Sequence, residues 1–137
     1  MSKMMNAKEY EESLRRLNLN VNMLGKKIQN VVDDPIIRPS MNAVAATYEY
    51  AHKPEYEDIM TAKSHLTGKK INRFTHIHQS ADDLVKKSKM GRLMGSLTAC
   101  CFQRCVGMDA LNALSITTHA VDLKYGTEYN KRFLKFL

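Results

Sequence analysis

The stretch TACCFQRCVGMDALNAL, Thr98 to Leu114, carries all three cysteines of the 137-residue chain: Cys100, Cys101 and Cys105. The pattern on either side of it decides the fold class. Upstream, Ser80 with Asp83 three residues on makes a capping box, ahead of Leu84, Val85, Leu93, Met94 and Leu97. Downstream, Gly107 interrupts the apolar run. Asp109 then leads Leu111, Leu114, Thr118 and Val121 toward Gly126, a residue suited to a helix C-terminus. Helices on both flanks of a cysteine-bearing segment predict a mostly α chain.

The remaining segments agree. Asn6 with Glu9 fits a second capping box, and Tyr10, Leu14 and Leu17 follow at helical spacing. Leu17, Leu19, Val21 and Met23 then alternate with asparagines up to Gly25, which predicts a short β-hairpin near residues 19–30. DDPIIRPS reads as extended, because Pro35 and Pro39 disfavour helix in the residue before each. Ser40 is expected to cap a helix running to about Ala51, and Pro54 to open another through about Ala62. GKKINRF reads as a loop. The amphipathic TEYNKRFLKFL ends on an apolar cluster, Phe133, Leu134, Phe136 and Leu137, with no cap after it. Glycines and prolines total only nine, so no linker is evident, and residues 1–137 are expected to form one helical domain excised from a longer chain.

Composition narrows the function. Apolar residues at 44% and charged residues at 26% are ordinary for a globular domain. No run approaches the roughly 18 apolar residues of a membrane span, and the N-terminus lacks the apolar core of a secretion signal. A cytoplasmic location is expected, with the thiols reduced. The formal charge is +7. Lys63, Lys69, Lys70, Arg73, Lys86, Lys87, Lys89 and Arg92 face only Asp82 and Asp83 between Lys63 and Arg92, so that belt alone carries +6. It reads either as a solvated face or as a surface for an anion or an acidic partner domain. With Phe74 its one aromatic and no sequence-reading motif in the chain, nucleic acid is not the expected partner.

On a helix, Cys101 and Cys105 are i and i+4, and both sulfurs leave one face. Two thiolates hold two corners of a metal centre without completing it. Alternatively, free cysteines fill a helix seam as small apolar groups. His76 and His78 in THIHQ would make a Cys2His2 zinc set with the pair. Gln103 and Arg104 sit between the thiols, as donors to a bound group or as contacts to solvent or a neighbouring helix. The nine methionines read as packing filler. No nucleophile elbow, P-loop or dinucleotide fingerprint is present.

CFQRCVGMDALNAL, together with INRFTHIHQSADDLVKK and DLKYGTEYNKRF, resembles the N-terminal region of the 4-hydroxybutyryl-CoA dehydratase (vinylacetyl-CoA delta-isomerase) family. ESLRRLNLNVNMLGKKI and DDPIIRPSMNAV fit the same family in order and spacing, so the resemblance covers essentially the whole chain. Flavin-dependent 4-hydroxyphenylacetate 3-hydroxylases are more distant members of that superfamily, without the paired cysteines. The resemblance implies the helical N-terminal domain of an acyl-CoA dehydrogenase-like flavoprotein, with β middle and helical C-terminal domains elsewhere in the parent. It implies FAD and a [4Fe–4S] cluster, with Cys101 and Cys105 as two cluster ligands, Cys100 not a ligand, and Gln103 lining the active site. The implied activity is dehydration of 4-hydroxybutyryl-CoA to crotonyl-CoA and isomerisation of vinylacetyl-CoA, in a homotetramer. No catalytic acid or base is expected within this chain, which alone would be inactive and hold neither cofactor intact.

Overall fold

The computed structural model describes residues 4–99 and 104–137. Helices dominate it, as expected: α1 (Ala7–Arg15), α2 (Arg38–Glu49), the one-turn α3 (Glu57–Met60), α4 (Ala81–Thr98), α5 (Arg104–Tyr125) and α6 (Tyr129–Phe136). Two antiparallel hairpins interrupt them, β1 (Val21–Met23) with β2 (Lys26–Ile28), and β3 (Thr61–Lys63) with β4 (Lys70–Asn72).

Both capping boxes form. The Asn6 side chain accepts from Glu9 N at 2.9 Å while Glu9 receives Asn6 N at 2.8 Å. The Ser80 hydroxyl accepts from Asp83 N at 3.3 Å, and the Asp83 carboxylate receives Ser80 N at 3.2 Å. Gly126 takes φ +66° behind α5, and its N–H donates to Asp122 O at 2.8 Å. The Asp122 carboxylate then receives Tyr129 N and Asn130 N, at 2.9 and 2.8 Å, and so starts α6 where Glu128 offers no side-chain cap.

Four features differ from the sequence expectation. Helix α2 begins at Arg38, because the Asp34 carboxylate accepts from Ile36 N and Ile37 N in an Asx turn and feeds the chain into the helix. Pro39 then occupies the first turn, where its missing N–H is harmless. The segment opened by Pro54 stops at Met60, one residue before Thr61 bends its hydroxyl back to Glu57 O at 2.8 Å and enters β3. The expected loop GKKINRF therefore contains strand β4, its register set by Thr61↔Asn72, Ala62↔Ile71 and Lys63↔Lys70. Gly107, expected to interrupt, lies inside α5.

The core is built on thioethers. Met60, Met90, Met94 and Met108 pack with Ala51 and Phe74 in one cluster, and all four sulfurs are essentially out of water. These are methionines from α3, α4 and α5, and their unbranched chains fill the irregular gap between helices crossing at different heights. By contrast Leu84, Val85 and Leu97 of α4 are exposed, as are Val106, Leu114, Ile116 and Leu123 of α5. The apolar stripes of the two long helices are wider than the seam they share. At the other end, Arg15 grips Asp33 with two hydrogen bonds of 2.5 and 2.8 Å, Arg38 reaches Glu11 at 3.0 Å, and Tyr10 stacks on Tyr48 at 4.8 Å, binding α1 to α2.

The first hairpin turns through Leu24 at φ +51° and Gly25 at φ +76°. A leucine held left-handed and 83% exposed gains nothing from packing, and the conformation costs it about 1 kcal/mol. Asparagine tolerates this geometry and is favoured in such turns. Leu24→Asn is expected to raise the thermal midpoint by about 3 °C. An unchanged or lowered midpoint in a circular-dichroism melt would contradict that assignment of strain.

Candidate functional site

The first described turn of α5 carries Arg104 and Cys105. Cys105 is a free, half-buried thiol. Cys100, Cys101 and Gln103 lie outside the described residues, so the i, i+4 placement of the two sulfurs on one helix does too. Helix α4 ends just before them with Ala99 in the left-handed region at φ +50°, its N–H donating to Gly95 O at 3.0 Å.

Arg104 is half-buried and held by its neighbours. Its guanidinium lies 4.1 Å over the Tyr48 ring and 4.8 Å from the Phe74 ring, and Nη1 donates to the Thr47 hydroxyl. Burial lowers its pKa, with the Tyr48 and Tyr10 hydroxyls opposing. Of its two expected roles, the inter-helix contact is the one formed. It pins the start of α5 onto α2. Further along, Asn112 fixes α5 against the extended segment at residues 76–78. Its Oδ1 receives His78 N at 2.8 Å, and its Nδ2 donates to His76 O at 3.2 Å and Met108 O at 2.9 Å. Nothing in the sequence pattern marks Asn112 for that task.

His76 and His78 belong to a different arrangement. Arg73 and His76 are buried at 3% and 4% exposure. Both meet the Asp83 carboxylate, Arg73 Nη1 at 3.3 Å and His76 Nε2 at 3.2 Å. Arg73 also donates to three backbone carbonyls, those of Ile59 (2.7 Å), Asp58 (2.9 Å) and Thr61 (2.6 Å), closing the end of α3. Burial pushes the Asp83 pKa up, but the Gln79 backbone N–H, His76 and Ser80 outweigh it and hold it at about 2. His78 is lowered by burial, with Lys87 adding to the effect. His76 Nδ1 and His78 Nε2 are buried without a hydrogen-bond partner among the described residues. Among the described residues no three histidine, cysteine, aspartate or glutamate side chains converge on a metal position. Cys105, His76 and His78 are all described and do not converge, which leaves the alternative Cys2His2 zinc set without support.

The basic belt is also divided. Arg73 is interior. Lys70 pairs with Glu57 at 3.0 Å, Lys86 with Asp58 at 2.6 Å, and Lys87 with Asp109. All three acids lie outside the window that made the belt look unopposed.

A family model described as 4-hydroxyphenylacetate 3-hydroxylase N terminal matches residues 6–137. The chain belongs to this family. The family's helical N-terminal fold recurs in an oxygen-tolerant archaeal 4-hydroxybutyryl-CoA dehydratase from N. maritimus, at 50% identity and TM-score 0.92 over 98% of this chain and 26% of that one. A 4-hydroxybutyryl-CoA dehydratase/vinylacetyl-CoA-Delta-isomerase from Clostridium aminobutyricum is 60% identical over 134 residues, 98% of this chain and 27% of that protein. The oxygenase component of 4-hydroxyphenylacetate 3-monooxygenase, solved with FAD and 4-hydroxyphenylacetate, shares the fold at 24% identity and TM-score 0.59, over 68% of this chain and 19% of that one. The chain thus spans about a quarter of the length of the two dehydratases it matches.

Because the Asp83 pKa in the folded protein lies below its unfolded value near 3.9, its stabilising contribution is complete above that value and fades as pH falls toward 2. Asp83→Asn leaves the Arg73 charge buried without its carboxylate, at a cost of roughly 3 kcal/mol near neutral pH. The difference from the parent chain should shrink between pH 4 and pH 2 in urea titrations. A difference independent of pH would show that the carboxylate charge is not what stabilises this node.

Proposed function

We propose that this chain is the N-terminal domain of a cytoplasmic, FAD- and [4Fe–4S]-dependent dehydratase that converts 4-hydroxybutyryl-CoA to crotonyl-CoA and isomerises vinylacetyl-CoA. The observation that carries the reading is 60% identity to such an enzyme across nearly the whole chain. The monooxygenase alternative draws on a 24% likeness, which supports only a common fold. In this reading Cys101 and Cys105 are two of the cluster's ligands, Gln103 lines the active site, and the other ligands and the catalytic acids and bases lie in β middle and helical C-terminal domains of a homotetrameric parent.

The donor chemistry fits. Cys105 is a soft sulfur ligand with no disulfide partner among the described residues, and thiolate is what an iron–sulfur centre takes. When bound, the cluster would supply Lewis acidity toward a departing hydroxyl, and the flavin a transient place for an electron.

This chain's own residues would do the positioning. Arg104, clamped between Tyr48 and Phe74, and Asn112, tied to the segment at 76–78, hold α5 at two points, so Cys105 is presented from a rigid helix. A rigid donor loses little entropy on ligation. The exposed Val106, Ile116 and Leu123 along the same helix supply apolar surface for the rest of the enzyme to cover.

In the full-length gene product, Cys105→Ala should abolish dehydratase turnover and remove most of a cluster content of about four irons per subunit. Cys100→Ala should leave iron and turnover unchanged. A Cys105→Ala enzyme that keeps both its iron and its rate would sink the assignment.

A further inference from the structure

The β1–β2 hairpin carries features that the fold of this domain does not use. Its strands pair with each other, at Val21↔Ile28, Asn22↔Lys27 and Met23↔Lys26, and form a two-stranded sheet, so each keeps an open edge. A lone ribbon of this length is marginal in water. At its tip Leu24 is left-handed at φ +51° and is the most exposed large apolar side chain among the described residues. Leu17 and Leu19, at the base of the ribbon, are about half exposed. Asparagine would take this turn without strain, and strain of this kind clusters where a chain meets a ligand or a partner. The charge around the tip is one-sided. Arg16, Lys26 and Lys27 form no ion pair among the described residues. The acids nearby are engaged: Glu11, Glu12 and Asp33 bind Arg15 and Arg38, and Asp34 receives the backbone N–H groups of Ile36 and Ile37.

We propose that this hairpin is a docking finger for a neighbouring subunit of the parent enzyme, where Leu24 enters an apolar pocket rimmed by carboxylates. The inference rests on the function proposed above, which supplies the longer chain and its assembly. Successive strand residues point to opposite faces, so Lys26 and Lys27 flank the tip on its two sides. Acids on both walls of a pocket pair with them, whereas a lone acid meets only one. The same patch of a second copy is a poor occupant. Two-fold contact of the finger with itself would set Arg16, Lys26 and Lys27 against their own copies. The finger therefore lands away from the two-fold axis, on a different and acidic surface. A lipid surface fits less well, because open strand edges need hydrogen-bond partners that hydrocarbon lacks and a protein supplies. The rest of the same chain has its own landing face in α5, with Cys105 and the exposed Val106, Ile116 and Leu123, whereas the finger stands between α1 and α2.

The test is sedimentation velocity of the full-length gene product over a range of concentrations, with Leu24→Asn and with Lys26→Glu and Lys27→Glu combined. Leu24→Asn suits the turn, so assembly lost in that variant does not come from a damaged fold. Both variants are expected to raise the midpoint concentration for assembly about tenfold or more, one by losing an apolar anchor and the other by repulsion from the acidic rim. Salt at roughly 1 M should narrow the gap for the glutamate variant and leave that of Leu24→Asn in place. Assembly like the parent's in either variant overturns the proposal, and so does a parent that stays monomeric. Binding of the parent to phosphatidylserine vesicles that Leu24→Asn abolishes would assign the finger to a membrane and overturn it as well. Iron content keeps the two readings apart. An iron-loaded, active parent whose variants assemble normally refutes the finger alone. A parent without iron whose variants dissociate refutes only the dehydratase assignment.

Discussion

One half-buried carboxylate organises the middle of this molecule. Asp83 receives the backbone N–H groups of Gln79 and Ser80 just ahead of α4, the Arg73 guanidinium and the His76 imidazole. Arg73 in turn takes three backbone carbonyls at the junction of α3 and β3. These elements, which also share the apolar cluster of Met60, Phe74, Met90 and Met94, are tied together by a few polar atoms. A guanidinium is the side chain suited to this, since its five donors fan out in one plane and it stays charged when dry. Unpaired, the same ions would be among the most destabilising groups in the protein. Arranged as they are, they set the angle at which α4 leaves the hairpin, and through α4 the seam against α5.

That node shows where sequence reasoning reached and where it stopped. The Ser80–Asp83 capping box was legible because caps are local, and its geometry is dictated by the first helical turn. The double use of Asp83 was not, because Arg73 and His76 reach it from an irregular segment ten and seven residues upstream, and no periodicity encodes that meeting. Arg73 counted as a surface base in a run of bases, and only burial distinguishes it from Lys69 or Lys89. The hairpin near residues 19–30 was visible in its alternation, while β3–β4 was not. Its strands are three residues long and its sequence, rich in lysine and glycine, looks like a loop. Helix α2 begins at Arg38, ahead of the expected cap Ser40, because an Asx turn at Asp34 does a cap's work from outside the helix.

The candidate site was legible in a different way. Spacing alone left the cysteines divided between packing, zinc and a partial cluster site, and zinc loses its support because Cys105, His76 and His78 do not converge among the described residues. The rest came from resemblance, which the family match and the dehydratase identities support. What neither spacing nor resemblance offered was the environment of Arg104. Its ring contacts come from Tyr48 and Phe74, residues that only the packing of α2 and the turn at residues 73–75 against α5 brings together.

The methionine seam carries a consequence of its own. A thioether accepts its place among Ala51 and Phe74 because it is soft and apolar. One added oxygen turns it into a strong dipole seeking a donor, in a cluster made only of apolar side chains. The filler would become a wedge between the two longest helices. In such a protein, ageing in air is registered in the interior as well as at the thiols, and swelling of the seam would move Cys105 before its sulfur had been touched.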